Sequence, residues 1–346
     1  MAYTDIDKPS DYFETVLYAG NSGTQSITSL DFQPDWCWFK ARNNTDTHAV
    51  FDSVRGVTKR LIPDNTTAEG TQSNGLTHFL SNGFTVADAG ITNQGHNYVA
   101  WNWKAGTSVS GNTSGSGTAK AYSGSVNTDA GFSIIKYVGN GTSAHTIPHH
   151  LGAVPQWVLI KETSNASDWM GYHIGIGNTH TIKLNEPDAP VDRTDWWNDT
   201  TPTSSVVTLG DNGEINQNDT NYIMYSFSQK QGYSKFGSYT GNGNVDGTFF
   251  YTGFKPAFTI IRSTGSDQWS MFDAKRNPFN EVDNNIRANS NAAEADQANK
   301  EVDYLSNGVK LRTSSGEWNS SGTTYIYMAF AEQPFVTSTG VPATAR

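Results

Sequence analysis

Three basic residues, Lys40, Lys161 and Arg262, are each followed 11 or 12 positions later by a titratable residue: Asp52, His173 and Asp273. A cation beside a carboxylate or an imidazole could orient a general base or hold an anion. An active site, however, needs a carboxylate pair or a base beside a nucleophile, and it is normally assembled once. Here the partner drifts between Asp and His, the cation drifts between Lys and Arg, and the set occurs three times. That pattern predicts a structural role at strand ends, such as a rim ion pair. The chain has no nucleophile elbow, phosphate loop, His-Glu-x-x-His or paired Cys-x-x-Cys. His145, His149 and His150 cluster, but no carboxylate is spaced to complete a metal site. Asp211-Asn212-Gly213-Glu214 with Asp219 has the composition of a calcium loop and the default reading of a turn. The expectation is no catalytic residue, no metal and no cofactor.

Binding is the chemistry that the loops leave open. Trp196, Trp197 and Trp318 occur in stretches rich in Asn, Asp and Thr. An indole face beside amides and carboxylates suits a sugar ring, so Trp196, Trp197 and Trp318 with Asp195 and Asn198 are candidate ligand-binding residues. The competing reading is that these Trp cover the core of their own module.

The elements that must position all of these residues are written three times. Tyr18-Ala19-Gly20-Asn21, Tyr137-Val138-Gly139-Asn140-Gly141 and Tyr239-Thr240-Gly241-Asn242-Gly243 each precede a proline, Pro34, Pro155 or Pro256. Each proline stands six positions before the cation. Each copy closes on one pattern: Tyr98 to Trp103, Tyr222 to Phe227 and Tyr325 to Phe330. Internal repetition of this kind governs the fold. In the first copy Trp36, Trp38 and Lys40 fall on one strand face and Cys37 and Phe39 on the other, so the strand is central, with both faces apolar. The prediction is an all-β protein of three tandem antiparallel β-sandwich, jelly-roll-like modules of about 100 residues each. The expected bounds are a lead over 1–12, modules over 13–104, 131–230 and 231–335, a Gly/Ser/Thr linker over 105–130 and a tail over 336–346. Modules two and three, joined by a short connection, should pack as a rigid pair. Ala288 to Tyr304 is the one helix-prone stretch, expected as a short surface helix or a loop.

Composition agrees. Charged residues are 16% and aromatics 12%, with 33 Gly, which describes a β-rich chain. A net charge of −10 without clustered Lys or Arg argues against nucleic acid. Cys37 is the only cysteine, so no internal disulfide can form, and a buried inert thiol is expected. No apolar run is long enough to span a membrane. The N-terminus lacks the features of a signal peptide, so synthesis in a cytoplasm is expected.

The opening Met1 to Phe13, with Asp52-Ser53-Val54-Arg55-Gly56-Val57-Thr58-Lys59, Ala100 to Gly106 and Gly232 to Gly243, resembles a family of proteins encoded by tailed bacteriophages of marine bacteria. The likeness covers essentially the whole chain. Members of that family are usually described as virion or tail-associated proteins, and it implies no catalytic residues. The resemblance implies localisation in the virion and other virion proteins as partners. The expected function is a non-enzymatic structural protein, a tail fibre or adhesin component contacting a host-surface glycan or receptor. The alternatives are a capsid decoration or head-fibre protein and, in another class, a glycan-degrading enzyme. A homo-oligomer, a trimer for instance, would suit a virion appendage.

Overall fold

The computed structural model describes residues 4, 6–296 and 301–344. It is all-β, with seven antiparallel sheets and three helical turns of four residues among the described residues. One strand order recurs three times. In the first stretch the sheet runs Phe13–Ala19, Asn97–Trp103, Trp36–Ala41, Ala49–Asp52. Phe132–Val138, Asn221–Phe227, Trp157–Glu162 and Trp169–His173 repeat it. Ser234–Thr240, Thr324–Pro334, Phe254–Ser263 and Ser270–Asp273 repeat it again. Each sheet faces a small three-stranded sheet of its own across a separate apolar core.

The Tyr-x-Gly-Asn motif fastens the ends of each repeat. Tyr98, Tyr222 and Tyr325 donate their hydroxyls to the carbonyls of Gly90, Gly213 and Gly316, at 2.6, 2.5 and 2.5 Å. Three residues beyond those glycines, Asn93, Asn216 and Asn319 accept from the backbone N–H of Asn21, Asn140 and Asn242. The motif glycine lies against the same loop. A Cβ on Gly20, Gly139 or Gly241 would stand 1.8, 2.4 or 2.3 Å from a backbone carbonyl oxygen, so only glycine lets the two chains approach.

A fourth core joins the three repeats. The alternation predicted for the first copy holds: Cys37 and Phe39 enter that module's own core, while Trp36 and Trp38 enter the shared one. Trp103, Phe227 and Phe330 occupy equivalent positions and meet at the centre. Their ring centroids are 6.4, 5.6 and 6.0 Å apart, a closed triangle. The modules therefore form a pseudo-threefold ring, not a rigid pair with a third unit attached. The threefold arrangement that a homotrimer would supply is present within one chain.

The linker expectation is corrected. Within 105–130, Thr107–Asn112 and Ala121–Asn127 pair with each other, and the latter pairs with Phe132–Val138. This extends the second module's sheet to eight strands. Ser114–Gly115 adds to that module's smaller sheet. The stretch reads as a linker because most of its side chains face water, which leaves no hydrophobic alternation beyond Tyr122 and Val126. For Ala288 to Tyr304 the described part takes the loop alternative and not the helix, with short strands at Ala295–Asp296 and Val302–Leu305, and residues 297–300 lie outside the described residues.

Candidate functional site

The three cations do not pair with the three residues that follow them. Lys40, Lys161 and Arg262 are all buried, and they donate to backbone carbonyls. Lys40 Nζ reaches Ala41 O and Asn44 O at 2.7 and 2.8 Å. Lys161 Nζ reaches Glu162 O at 2.9 Å and, in the first module, Thr66 O at 3.4 Å. Arg262 reaches Lys183 O, Glu186 O and Asp188 O in the second. Burial pulls both lysines down to about 8 and Arg262 down to about 10. The rim ion pair expected between the two sets is therefore replaced by carbonyl cages, because Lys40 turns into its own loop and Lys161 and Arg262 reach into a neighbouring module.

Asp52, His173 and Asp273 sit at the three junctions between modules. Asp52 accepts from Tyr225 Oη of the second module at 2.6 Å, and Asp273 accepts from Trp101 Nε1 of the first at 3.1 Å. At the position equivalent to Trp101 and Tyr225 the third module carries Met328, which has no proton to donate. There the acceptor is replaced by a donor, and His173 Nε2 donates to Tyr327 O at 3.1 Å. The drift between Asp and His is thus a match to the facing residue.

The rest of the junction changes with it. Asp52 pairs with Arg55 at 2.5 Å, and Arg55 reaches Glu69 at 3.3 Å. Asp273 pairs with Arg276 at 2.5 Å, and Arg276 reaches Glu294 at 3.0 Å. Glu294 also crosses to Arg42 of the first module at 2.6 Å. In the second module His173 and Ile176 hold the equivalent positions, so carboxylate and guanidinium disappear together. A second set of bonds closes the ring: His48 Nε2 donates to Arg287 O at 3.1 Å, Trp169 Nε1 to Ile62 O at 2.8 Å and Trp269 Nε1 to Lys183 O at 2.9 Å.

The two junction histidines make stability depend on pH. Burial holds His173 at about 4 and His48 at about 3, against an ordinary 6.5. Both are neutral when folded and take up a proton on unfolding below pH 6.5. Their stabilisation is complete above pH 6.5 and is lost as pH falls towards 4. For His173 alone the loss is on the order of 3 kcal/mol. Urea unfolding at pH 7 and pH 4.5 should show this loss, and His173→Gln should flatten the slope.

The sequence-predicted binding residues do not converge on one aromatic face. Trp196 and Trp197 are 3% and 1% exposed in the second module's core, and Trp318 is fully buried in the third. Trp318 donates to Ser270 Oγ at 2.7 Å. Asp195 pairs with Arg193 and accepts from Asn212, and Asn198 is the left-handed cap of the turn Thr194–Trp197. Two aromatic residues adjacent in sequence pointed to a platform; a single helical turn packs both inward instead. His145, His149 and His150 bond separately to Asn216, Thr203 and Tyr122. Among the described residues no group of three or more His, Cys, Asp or Glu could hold a metal ion.

A cleft of about 590 Å3 lies beside Trp196, lined by Glu162, Ser167, Lys183, Arg193 and Glu214, among others. The Arg193 guanidinium lies 5.1 Å from the Trp196 ring centroid. Lys183 pairs with Asp168. Burial opposes ionisation of Asp168, but hydrogen bonds from Lys183 and Asn185 prevail and hold it below the usual range. Burial and then the Asp168 charge push Glu214 up. Ser167 is 8% exposed, and its hydroxyl makes no hydrogen bond among the described residues. Equivalent positions differ elsewhere. Module three pairs Arg287 directly with Glu317 at 2.6 Å, and module one has Ile62 and Ile91 there. The sequence carried no clear signal for this cleft, since Lys183 and Glu214 are matched in kind by Arg287 and Glu317, and what differs is that Lys183 pairs with Asp168 and not with the glutamate.

A family model described as a domain of unknown function, DUF7483, matches residues 8–334. No curated protein and no solved structure matches the chain.

Proposed function

We propose, from the premise that this chain belongs to the DUF7483 family over residues 8–334, that it is a non-enzymatic structural component of a bacteriophage particle. In this reading it is a tail fibre or adhesin part in which three fused modules form one stiff support and the second meets the host surface. The observation that carries the reading is the use made of the repeated polar residues. Lys40, Lys161, Arg262, Asp52, His173 and Asp273 are all buried, and they serve the fold and its junctions. None is left to face a substrate. Asp168, the carboxylate whose charge pushes Glu214 up, is itself held by Lys183 and Asn185, which favours binding over cleavage. In the second module Lys183 and Glu214 line a cleft, which is why the host contact is assigned to it.

The test is to image and assay particles lacking this protein. The expected result is loss of a tail-associated feature together with reduced adsorption to host cells. Normal particles that adsorb normally, or label on this chain located on the capsid shell, would overturn the assignment.

A further inference from the structure

We propose that the Lys183 amine and the Asp168 carboxyl condense to an amide, a cross-link that the folded chain makes within itself, with Glu214 carrying the proton. The bond does not depend on any host contact. Its ground is one contact compared across the three repeats. Lys183 Nζ pairs with Asp168 Oδ2, and less than a third of either side chain is exposed. In every other lysine–carboxylate pair among the described residues, at least one side chain is more than a third exposed. Asn185 Nδ2 donates to Asp168 Oδ1 at 2.7 Å, while Asn185 Oδ1 accepts from Trp169 N at 2.8 Å. That clamp fixes one carboxylate oxygen and leaves the other to the amine. Glu214, on the turn Gly213–Asn216, lines the same cleft as Lys183. Burial and then the Asp168 charge push it up, so it gives up its proton less readily than an ordinary glutamate.

The other repeats cannot make this bond. Strand register places Arg287 and Ile62 at the position of Lys183, and Gln268 and Thr47 at that of Asp168. Glu317 and Ile91 stand where Glu214 does, each directly after the glycine whose carbonyl accepts from the closing tyrosine. A guanidinium stays charged and does not attack a carboxyl, so module three keeps a plain ion pair.

The step balances within the site. Burial opposes the charge on Lys183, but its bond to Asp168 prevails, so the pair starts as ammonium and carboxylate. Nζ loses two protons and bonds to Cγ of Asp168, and the Cγ–Oδ2 bond breaks. Oδ2 receives both protons and leaves as water. Glu214 gives its proton to the departing oxygen and is restored by one from Nζ. No other reactant enters, and the net charge of the site is unchanged. Holding amine and carboxyl in contact is worth an effective concentration of roughly 10⁵–10⁸ M. The product also removes two largely buried charges whose desolvation the ion pair has to bear.

The place of the bond gives it a use. Ser167 N, just before Asp168, donates to Thr66 O, and Trp169 Nε1, just after it, donates to Ile62 O, both in the first module. The Lys183 carbonyl accepts from Arg262 and Trp269 of the third. An amide between residues 168 and 183 therefore ties the segment that grips module one to the segment that grips module three. With a single cysteine, the chain has no internal disulfide for that task.

The experiment is mass spectrometry of the purified, unfolded full chain. The intact mass should fall short of the sequence mass by one water. Trypsin should no longer cut after Lys183, so one looped peptide, residues 162–193, should carry the deficit. Lys183→Arg copies the residue that module three carries there; it should keep the ion pair and the native circular dichroism, yet show the full sequence mass. Asp168→Ala should show the full mass as well. Glu214→Gln should slow linkage about a hundredfold or more, the usual worth of a positioned acid–base group, in chains sampled after a short pulse of synthesis. A role confined to packing would not change that rate. The proposal is overturned if the parent chain has the full sequence mass, if the lost water maps outside residues 162–193, or if Glu214→Gln links as fast as the parent. Particle adsorption is a separate readout, so the bond and the host-contact reading stand or fall independently.

Discussion

Replacing Asp273 with Ala should lower the unfolding free energy by about 3–5 kcal/mol, the range for breaking a buried ion pair by removing one partner. The carboxylate and the Arg276 guanidinium are both fully buried. Asp273 Oδ1 accepts from the backbone N–H groups of Lys275 and Arg276, and Oδ2 accepts from Arg276 Nε and Trp101 Nε1. Alanine leaves the guanidinium with Glu294, Asn284 O and Met271 O as partners, so its nearest compensating charge is gone. A second variant separates the ion pair from simple loss of packing. Asp273→Ala combined with Arg276→Met should recover much of the loss, because no uncompensated charge remains. Denaturant unfolding of the three proteins measures this. A single-variant loss under about 1 kcal/mol would contradict the role assigned to this junction.

The second large effect is expected at the axis. Trp103→Ala should cost about 3–5 kcal/mol, as large-to-small changes of fully buried aromatics do. Trp103 touches both Phe227 and Phe330, and it also packs on Phe13 at 4.8 Å and Trp36 at 4.5 Å. Its distinguishing consequence is on cooperativity. Each module has its own sandwich core, so weakening the shared core should let the modules unfold at different points. Calorimetry and tryptophan fluorescence should report coincident transitions for the parent chain and separate ones for the variant. A variant that loses stability yet keeps one coincident transition would mean that the junction hydrogen bonds alone couple the modules.

Neither effect is local, and that separates what could be read in the chain from what could not. The triplication was legible because Tyr-x-Gly-Asn, the proline-to-cation spacing and the closing Tyr pattern recur in order. All three report contacts made within one repeat. The strand face of Trp36 and Trp38 was legible for the same reason, since alternation is a property of neighbouring residues. The repeated cation and acid were visible too, but their partners were not. Lys161 reaches Thr66, Asp273 is reached from Trp101 and His173 reaches Tyr327, each from a different module.

By itself, then, the sequence determined an all-β chain with one motif set written three times, because strand period, turn glycines and loop-fastening tyrosines act over a few residues or within one repeat. Only the tertiary structure decided that the repeats close into a ring, that Trp196, Trp197 and Trp318 turn inward, and that Lys183 and Glu214 open onto a cleft. The physical reason is that a buried polar group is satisfied by whatever lies opposite. Across a junction that residue is set by three-dimensional packing, as Met328 opposite His173 illustrates, and not by distance along the chain.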